Sequence, residues 1–356
     1  MGGGRLNPRE RVLRALEHEE PDRVPLDETI DWAHPHPWVY AANYLGAKTY
    51  EDLRRRLGID LRRIGWSTQE ELKIPSERRP GLIFEDSWGV KYEVTVDGVH
   101  TRVIYHPLQH ISLSDFEFPS FDKIFDRAAE FIRIWRGEYF VQGVMYCTLF
   151  EIARLLRGFN RFLIDLYENP SFVNELLDRL LKYRLEMGKR FIELGVDCIQ
   201  LGDDVGAQTG MLIHPNLWRK YFKPRMKALI DELKKHGDVY IWYHSDGNVK
   251  PIIPDLIEIG VNILNPIQPD CMDPAEIKEK YGDKITLHGT ISVQETMQLG
   301  SEEDVKREVI TRISTCAHGG GLIIAPAHGL QPSTPFKNII ALYEVAKKYG
   351  RYPLKR

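Results

Sequence analysis

The sequence predicts an α/β protein, a single (β/α)8 barrel of the TIM type with an N-terminal elaboration. Three observations point there. Short apolar strands begin near residues 139, 197, 239, 261, 285 and 321, and from 197 onward single helices separate them, the rhythm of βα units with parallel strands. These strands ("YFVQGV", "DCIQL", "VYIWY", "VNILN", "ITLHG", "GLIIAP") are nearly continuous apolar runs, which fits a sheet buried on both faces. Nearly every strand, not just two flanking a switch point, ends in a polar loop, and that favours a closed barrel over a doubly wound open sheet.

The elements follow in order. A helix over 8–18 is capped by Asn7, takes Pro8 at its first position, and places Val12, Leu13 and Leu16 on one face before "EEPDRVP" stops it. Residues 27–120 read as irregular and rich in Trp, Pro and His, apart from a hairpin in "VKYEVTVDGVHTRVIY" that turns at Asp97-Gly98. Residues 1–120 are expected to be an elaboration packed on the barrel of one domain spanning 1–356. Helices are expected up to Leu156 and over 171–194, 215–236, "PIIPDLIEIG", 274–281, 302–317 and 335–349. Six strands are visible from 139 onward; the other two are expected within 80–138 or in segments that read as loops.

Composition narrows the function. A chain of 356 residues that is 43% hydrophobic can bury a large core. A net charge of -3 argues against a nucleic-acid partner. No run of about 18 apolar residues is present, so no membrane span is expected. The N-terminus lacks an apolar signal core, so the expectation is a cytoplasmic protein. The cysteines at 147, 198, 271 and 316 form no C-x-x-C pair and are expected to be free thiols. There is no P-loop, G-x-G-x-x-G or G-x-S-x-G. "HGGGL" at 318–322 lacks the nucleophile elbow that an oxyanion loop serves.

The chemistry is expected at the strand ends. "VYIWYHSDGNV" delivers His244 and Asp246 onto a turn closed by Gly247-Asn248. The other strands lead to Tyr146, Cys147 and Thr148, to Asp203 and Asp204, to Asn265 and Gln268, to His288 and Thr290, and to His328 and Gln331. In a closed barrel all of these face one mouth. Each also has a purely structural alternative. Asp203-Asp204 could cap the next turn, Asp246 could form an Asx turn, and His244 could be a hydrogen-bonded core histidine. His34 and His36 could belong to a lid, and His318 could simply end a helix. The opposite end carries only Gly stops ("ELGVD", "KHGDV", "EIGVN", "KYGDK"), which need geometry rather than chemistry.

Four segments, "NPRERVLRALEHEEPDRVP" (7–25), "GDDVGAQTGMLIHPNLWRKYFKPR" (202–225), "HSDGN" (244–248) and "GGLIIAPAHGLQPSTPFKNIIALYE" (320–344), resemble the uroporphyrinogen decarboxylase superfamily in the family's order. That superfamily includes the true decarboxylases and the corrinoid-dependent methyltransferases. The resemblance implies a barrel with its site at the carboxyl ends of the strands. The decarboxylases' early "RQAGRY"-type segment is replaced here by "LDETIDWAHPHPW". A mouth of Asp203, Asp204, Asp246 and histidines, with Arg154, Arg219 and Arg225 as the nearest bases, does not suit a substrate with many carboxylates.

The methyltransferase branch often binds zinc through His-x-Cys and a later Cys. Here the resemblance puts His244, Asp246 and His328 at those positions. A His-Asp-His set can hold a divalent ion with an open position, though without thiolates. The expected function is methyl transfer between a small methylated substrate and a corrinoid supplied by a partner protein. Asp203, Asp204, His244, Asp246 and His328 would be catalytic, and Asn265, Gln268, His288 and Gln331 would contact substrate. Two alternatives are uroporphyrinogen-type decarboxylation, with no tightly bound cofactor, and a non-catalytic member that binds a corrinoid or tetrapyrrole. The family also implies a homodimer.

Overall fold

The computed structural model describes residues 6–29, 36–65, 79–98 and 100–354. In chain order the strands are β1 (Leu61–Gly65), β2 (Ile83–Glu85), β3 (Lys91–Val94), β4 (Thr101–Tyr105), β5 (Phe140–Val144), β6 (Cys198–Gly202), β7 (Gly206–Ala207), β8 (Gly210–Met211), β9 (Tyr240–His244), β10 (Ile263–Asn265), β11 (Thr286–His288) and β12 (Leu322–Ile323). Seven of them form one parallel sheet in the order β1-β5-β6-β9-β10-β11-β12. The sheet curls, and residues 24–27 fill the gap between its edges. Asp27 N–H donates to Ile324 O and Ile324 N–H to Pro25 O, each at 2.9 Å; on the other side Asp60 N–H donates to Leu26 O at 2.8 Å. With this eighth segment the TIM-type barrel is complete.

Alternation along each strand sorts the interior. Leu61, Phe140, Cys198, Trp242, Ile263 and Ile323 meet Val12 and Leu16 of the helix Pro8–Leu16, which plugs the N-terminal end of the barrel. One residue pair higher the interior turns polar, with Arg63, Gln142, Gln200 and His244 on the same inward rows. Outward residues pack against the helical shell, where Leu176, Leu180, Phe191, Leu229 and Leu233 are fully buried. Each such side chain contributes roughly 1.5–3 kcal/mol by leaving water.

The six strands expected from residue 139 onward are present, each starting one or two residues later than expected, and β6 and β9 also run one residue further. The two that the pattern lacked both lie before residue 80, in segments that read as irregular chain or a helix stop, the second of the two expected places, and not within 80–138. β1 reads "LRRIG" because both of its arginines are absorbed by the fold. Arg62 stacks 3.7 Å over the Tyr139 ring and bonds Glu51 at 2.9 Å. Arg63 points inward and pairs with Asp27. Residues 24–27 sit inside what looked like a helix stop. The hairpin at Asp97-Gly98 forms as β3–β4, with Thr95 N–H donating to His100 O at 2.9 Å, and β2 extends it to three strands. The helix expected over 215–236 is two, Pro215–Tyr221 and Lys223–His236, with Pro224 removing an N–H at the junction. All four cysteines are free. No helix among the described residues is long and apolar enough to cross a membrane.

Candidate metal centre

β9 carries His244 to the barrel's carboxyl end, and the chain then turns tightly under the small β7–β8 hairpin. Backbone-to-backbone contact makes that turn. Asn248 N–H donates to Ala207 O at 2.8 Å. A Cβ on Gly206 would lie 2.4 Å from Asp246 O, and Gly247 (φ +77°) leaves only 2.6 Å to Ala207 N. Neither position has room for a side chain. Gln268 Oε1 accepts from Gly247 N–H at 3.1 Å, and Ser245 Oγ accepts from Val205 N–H at 3.1 Å, so the turn is held from both neighbouring loops.

Three ligand-type atoms face each other on this frame. His244 Nε2 lies 3.6 Å from Asp204 Oδ1 and 3.8 Å from Asp246 Oδ1. Asp204 is aimed by the Asp246 N–H, which donates to its Oδ1 at 2.9 Å. The other Asp246 oxygen lies 3.5 Å from His328 Nε2, and the two imidazole centroids are 6.4 Å apart. Asp204, His244 and Asp246 form a group whose ligand atoms all lie within 4.8 Å of one another. His244 Nε2 and Asp246 Oδ1 are both buried and have no hydrogen-bond partner.

Those separations are too long for a shared proton, which needs roughly 2.7–3.0 Å between heavy atoms. They fit a divalent ion. Bonds of about 2.0–2.2 Å in a tetrahedron set ligands roughly 3.3–3.6 Å apart. The nitrogen and carboxylate donors are those that zinc and other first-row divalent ions accept, and the exposed side of His328 leaves the mouth open.

Behind His244 runs a buried series of side chains. His244 Nδ1 is 2.5 Å from Asn265 Oδ1, Asn265 Nδ2 is 2.7 Å from His288 Nδ1, and His288 Nε2 is 2.9 Å from Asp27 Oδ2. Asp27 in turn pairs with Arg63. Burial would raise the Asp27 carboxyl, but the Arg63 charge and the His288 hydrogen bond outweigh it and hold it at about 2. Burial lowers His288.

The other expected site residues are placed as follows. Asp203 is 2% exposed and accepts from Leu149 N–H and Glu151 N–H at 3.0 Å, at the start of the helix Phe150–Arg157. Burial raises it to about 6 despite those amides. Its carboxylate therefore serves that helix, while its neighbour Asp204 joins the cluster. Asn265 and His288 bond one another and the residues on either side. Gln331 is half-buried in the loop after β12. Tyr146 stands with its ring centroid 4.9 Å from that of His244. Thr148 Oγ1 accepts from Gly202 N–H at 2.8 Å, Thr290 is fully buried, and the buried Cys147 thiol is pushed well above its ordinary range. His34 lies outside the described residues.

Sequence reasoning missed Asp27, Arg63 and Glu151. "VPLDE" does end an apolar stretch in acids, as the other strands do, but its three apolar residues are too few to stand out. Glu151 is raised to about 8 by burial and by the Asp204 and Asp203 charges. It sits on a helix, where periodicity marks it only as inward-facing.

Acids and imidazoles gather here on the carboxyl rim of a parallel barrel, the place where barrel enzymes carry their chemistry. The chain belongs to the uroporphyrinogen decarboxylase (URO-D) family, whose profile matches residues 123–349. Relatives fall in both of its branches, so its members are enzymes of methyltransferase or decarboxylase type. Methylcobamide:CoM methyltransferase MtaA of Methanosarcina barkeri is 26% identical over 185 residues, 52% of this chain and 50% of that protein. The chain thus spans about half the length of that relative. Uroporphyrinogen decarboxylase of Pseudomonas syringae pv. tomato is 23% identical over 287 residues, 78% of this chain and 77% of that one. A solved methyltransferase from Methanosarcina mazei shares the fold, with a TM-score of 0.71 and 21% identity over 97% of this chain and 99% of that one.

Proposed function

We propose that this chain is a methyltransferase whose barrel mouth holds a divalent metal ion and exchanges a methyl group between a small molecule and the corrinoid of a partner protein. The observation that carries the reading is the pair of buried, unpartnered atoms His244 Nε2 and Asp246 Oδ1, 3.8 Å apart and facing Asp204 at separations too long for hydrogen bonds between the side chains. Asp204, His244 and Asp246 would hold the ion, with His328 as a further ligand at the rim. Bound there, the ion would supply Lewis acidity to the heteroatom that gains or loses the methyl group.

The residues do the rest. The Asp204 and Asp246 carboxylates make the mouth attractive to a cation. The β7–β8 hairpin and the Gly247 turn fix their spacing. In the demethylating direction a reduced corrinoid on the partner would supply the electron pair for the methyl group, and the ion held by Asp204, His244 and Asp246 would stabilise the pair left on the heteroatom. Of the residues expected to contact substrate, Asn265 and His288 are engaged with His244 and Asp27 and Gln268 with Gly247 N–H, so Gln331 at the rim is the one we assign to that contact.

The decarboxylase reading fares worse on charge. Among the described residues, Arg63 is paired with Asp27, Arg219 with Asp255 and Arg225 with Asp178, while Arg154 lies 3.1 Å from the Glu151 carboxyl, which burial raises to about 8. The first three are taken, and Arg154 by itself is too little to grip a substrate with many carboxylates.

The deciding experiment is metal analysis of the purified protein, followed by assay of methyl exchange between free methylcobalamin and a panel of thiols, phenols and amines. About one divalent ion per chain, with exchange lost in Asp246→Ala, is expected. Protein that takes up no metal, or that decarboxylates uroporphyrinogen instead, overturns the proposal. Metal-free protein that binds methylcobalamin with no turnover would mark a non-catalytic binder.

A further inference from the structure

The series behind His244 has a direction, and only one of its ends sets it. Asp27 is fully buried against Arg63, so its carboxylate is ionised and can only accept. His288 Nε2 must then carry a proton toward it. Burial keeps His288 neutral, so its Nδ1 is bare. A bare nitrogen needs a donor, which fixes the otherwise ambiguous Asn265 amide: NH2 toward His288, oxygen toward His244. The oxygen accepts a proton from His244 Nδ1. With its one ring proton on Nδ1, His244 has a bare Nε2, and that is the atom aimed at Asp204 and Asp246.

We propose that Asp27, anchored by Arg63, is a positioning residue that holds His244 in its Nδ1–H tautomer across the barrel, through His288 and Asn265. Metal ligation requires a bare Nε2, so this inference rests on the metal-centre reading for its purpose, although not for its geometry. The device also assigns a task to the segment that closes the barrel. Residues 24–27 bring Asp27 to β11, and β11 brings His288 to Asn265.

The test reads the tautomer itself. Arg63 and His288 meet the same Asp27 oxygen, Oδ2, so an Asn amide would keep its oxygen there and change nothing; Asp27→Ala removes the acceptor outright. His288 Nε2 then has no acceptor to fix its proton, the Asn265 amide is free to turn over, and His244 is no longer held to one tautomer. In protein labelled with 15N-histidine at pH 8, the His244 resonances among the 12 histidines are assigned by comparison with His244→Gln. Wild type should show a protonated Nδ1 and a bare Nε2. Asp27→Ala should show a mixture of both tautomers and bind Co2+ about tenfold more weakly by its visible absorption. Should Asp27→Ala fail to fold, Asn265→Ala cuts the series and should likewise leave His244 a mixture of both tautomers.

The proposal is overturned if wild-type His244 carries its proton on Nε2, or if neither variant changes the tautomer. The two readings separate cleanly. A wild-type Nδ1–H tautomer that depends on Asp27, in a protein that binds no Co2+, keeps this inference and removes the metal centre. Tight Co2+ binding with a tautomer indifferent to Asp27 does the opposite.

Discussion

Asp246 stands between two imidazoles: one of its oxygens is 3.8 Å from His244 Nε2 and the other 3.5 Å from His328 Nε2. The carboxylate therefore ties a nearly buried ring to an exposed one. The two histidines should differ in what they contribute. His244→Ala and Asp246→Ala should each weaken Co2+ binding by about a hundredfold or more. His328→Ala, which removes a rim ligand, should weaken it by about tenfold. Equilibrium dialysis with metal analysis measures all three.

Asp203 and Asp204 are adjacent in sequence and opposite in role. Asp203→Ala strips the acceptor from Leu149 N–H and Glu151 N–H and should lower stability by about 1–3 kcal/mol in urea unfolding, with near-normal cation affinity. Asp204→Ala should show the reverse, a folded protein that has lost the cation. Equal effects on both measurements would argue against this division.

The sequence could place these two acids at a strand end but could not tell them apart. Alternation says which way a strand residue points, and Asp203 and Asp204 lie just beyond β6, where alternation stops. The βα rhythm after residue 139 was legible because each strand there is apolar on both faces. β1 was not, since Arg62 and Arg63 bury their charges against partners far along the chain. Pairings such as Arg63 with Asp27, or His288 with Asp27 across 261 residues, leave no local periodicity to detect.

The carboxyl of Glu151 gives a pH signature. Burial together with the Asp204 and Asp203 charges raises it from 4.5 to about 8. A raised carboxyl favours the protonated folded state. Its contribution to stability is complete below about pH 4.5 and is lost as the pH rises through about 8. In metal-free protein, Glu151→Gln should gain in melting temperature over wild type as the pH goes from 5 to 8. Bound cation beside Asp204 should shrink that gain. Calorimetry across the range, with and without Zn2+, checks both statements.

Barrel closure rests on Asp60. Its carboxylate accepts from Arg11 Nη1 at 2.7 Å, Arg23 Nη1 at 2.8 Å and Leu26 N–H at 2.8 Å. Asp60→Ala leaves the buried Arg11 short of a partner and should cost about 3–5 kcal/mol. Amide exchange should accelerate first at Leu26 and Ile324, the two sides of the seam.

That seam joins residues far apart in sequence, since Leu26 pairs with Ile324 and Thr29 Oγ1 bonds His328 O at 2.7 Å. A ribosome releases residues in order, so the edge of residues 24–27 that meets Asp60 can be covered early, while the edge that meets Ile324 stays open until β12 has emerged. Asp27 can meet Arg63 at once but must wait for His288. The pocket is thus among the last parts of the molecule to form, and a nascent chain halted before β12 should be unable to capture a cation.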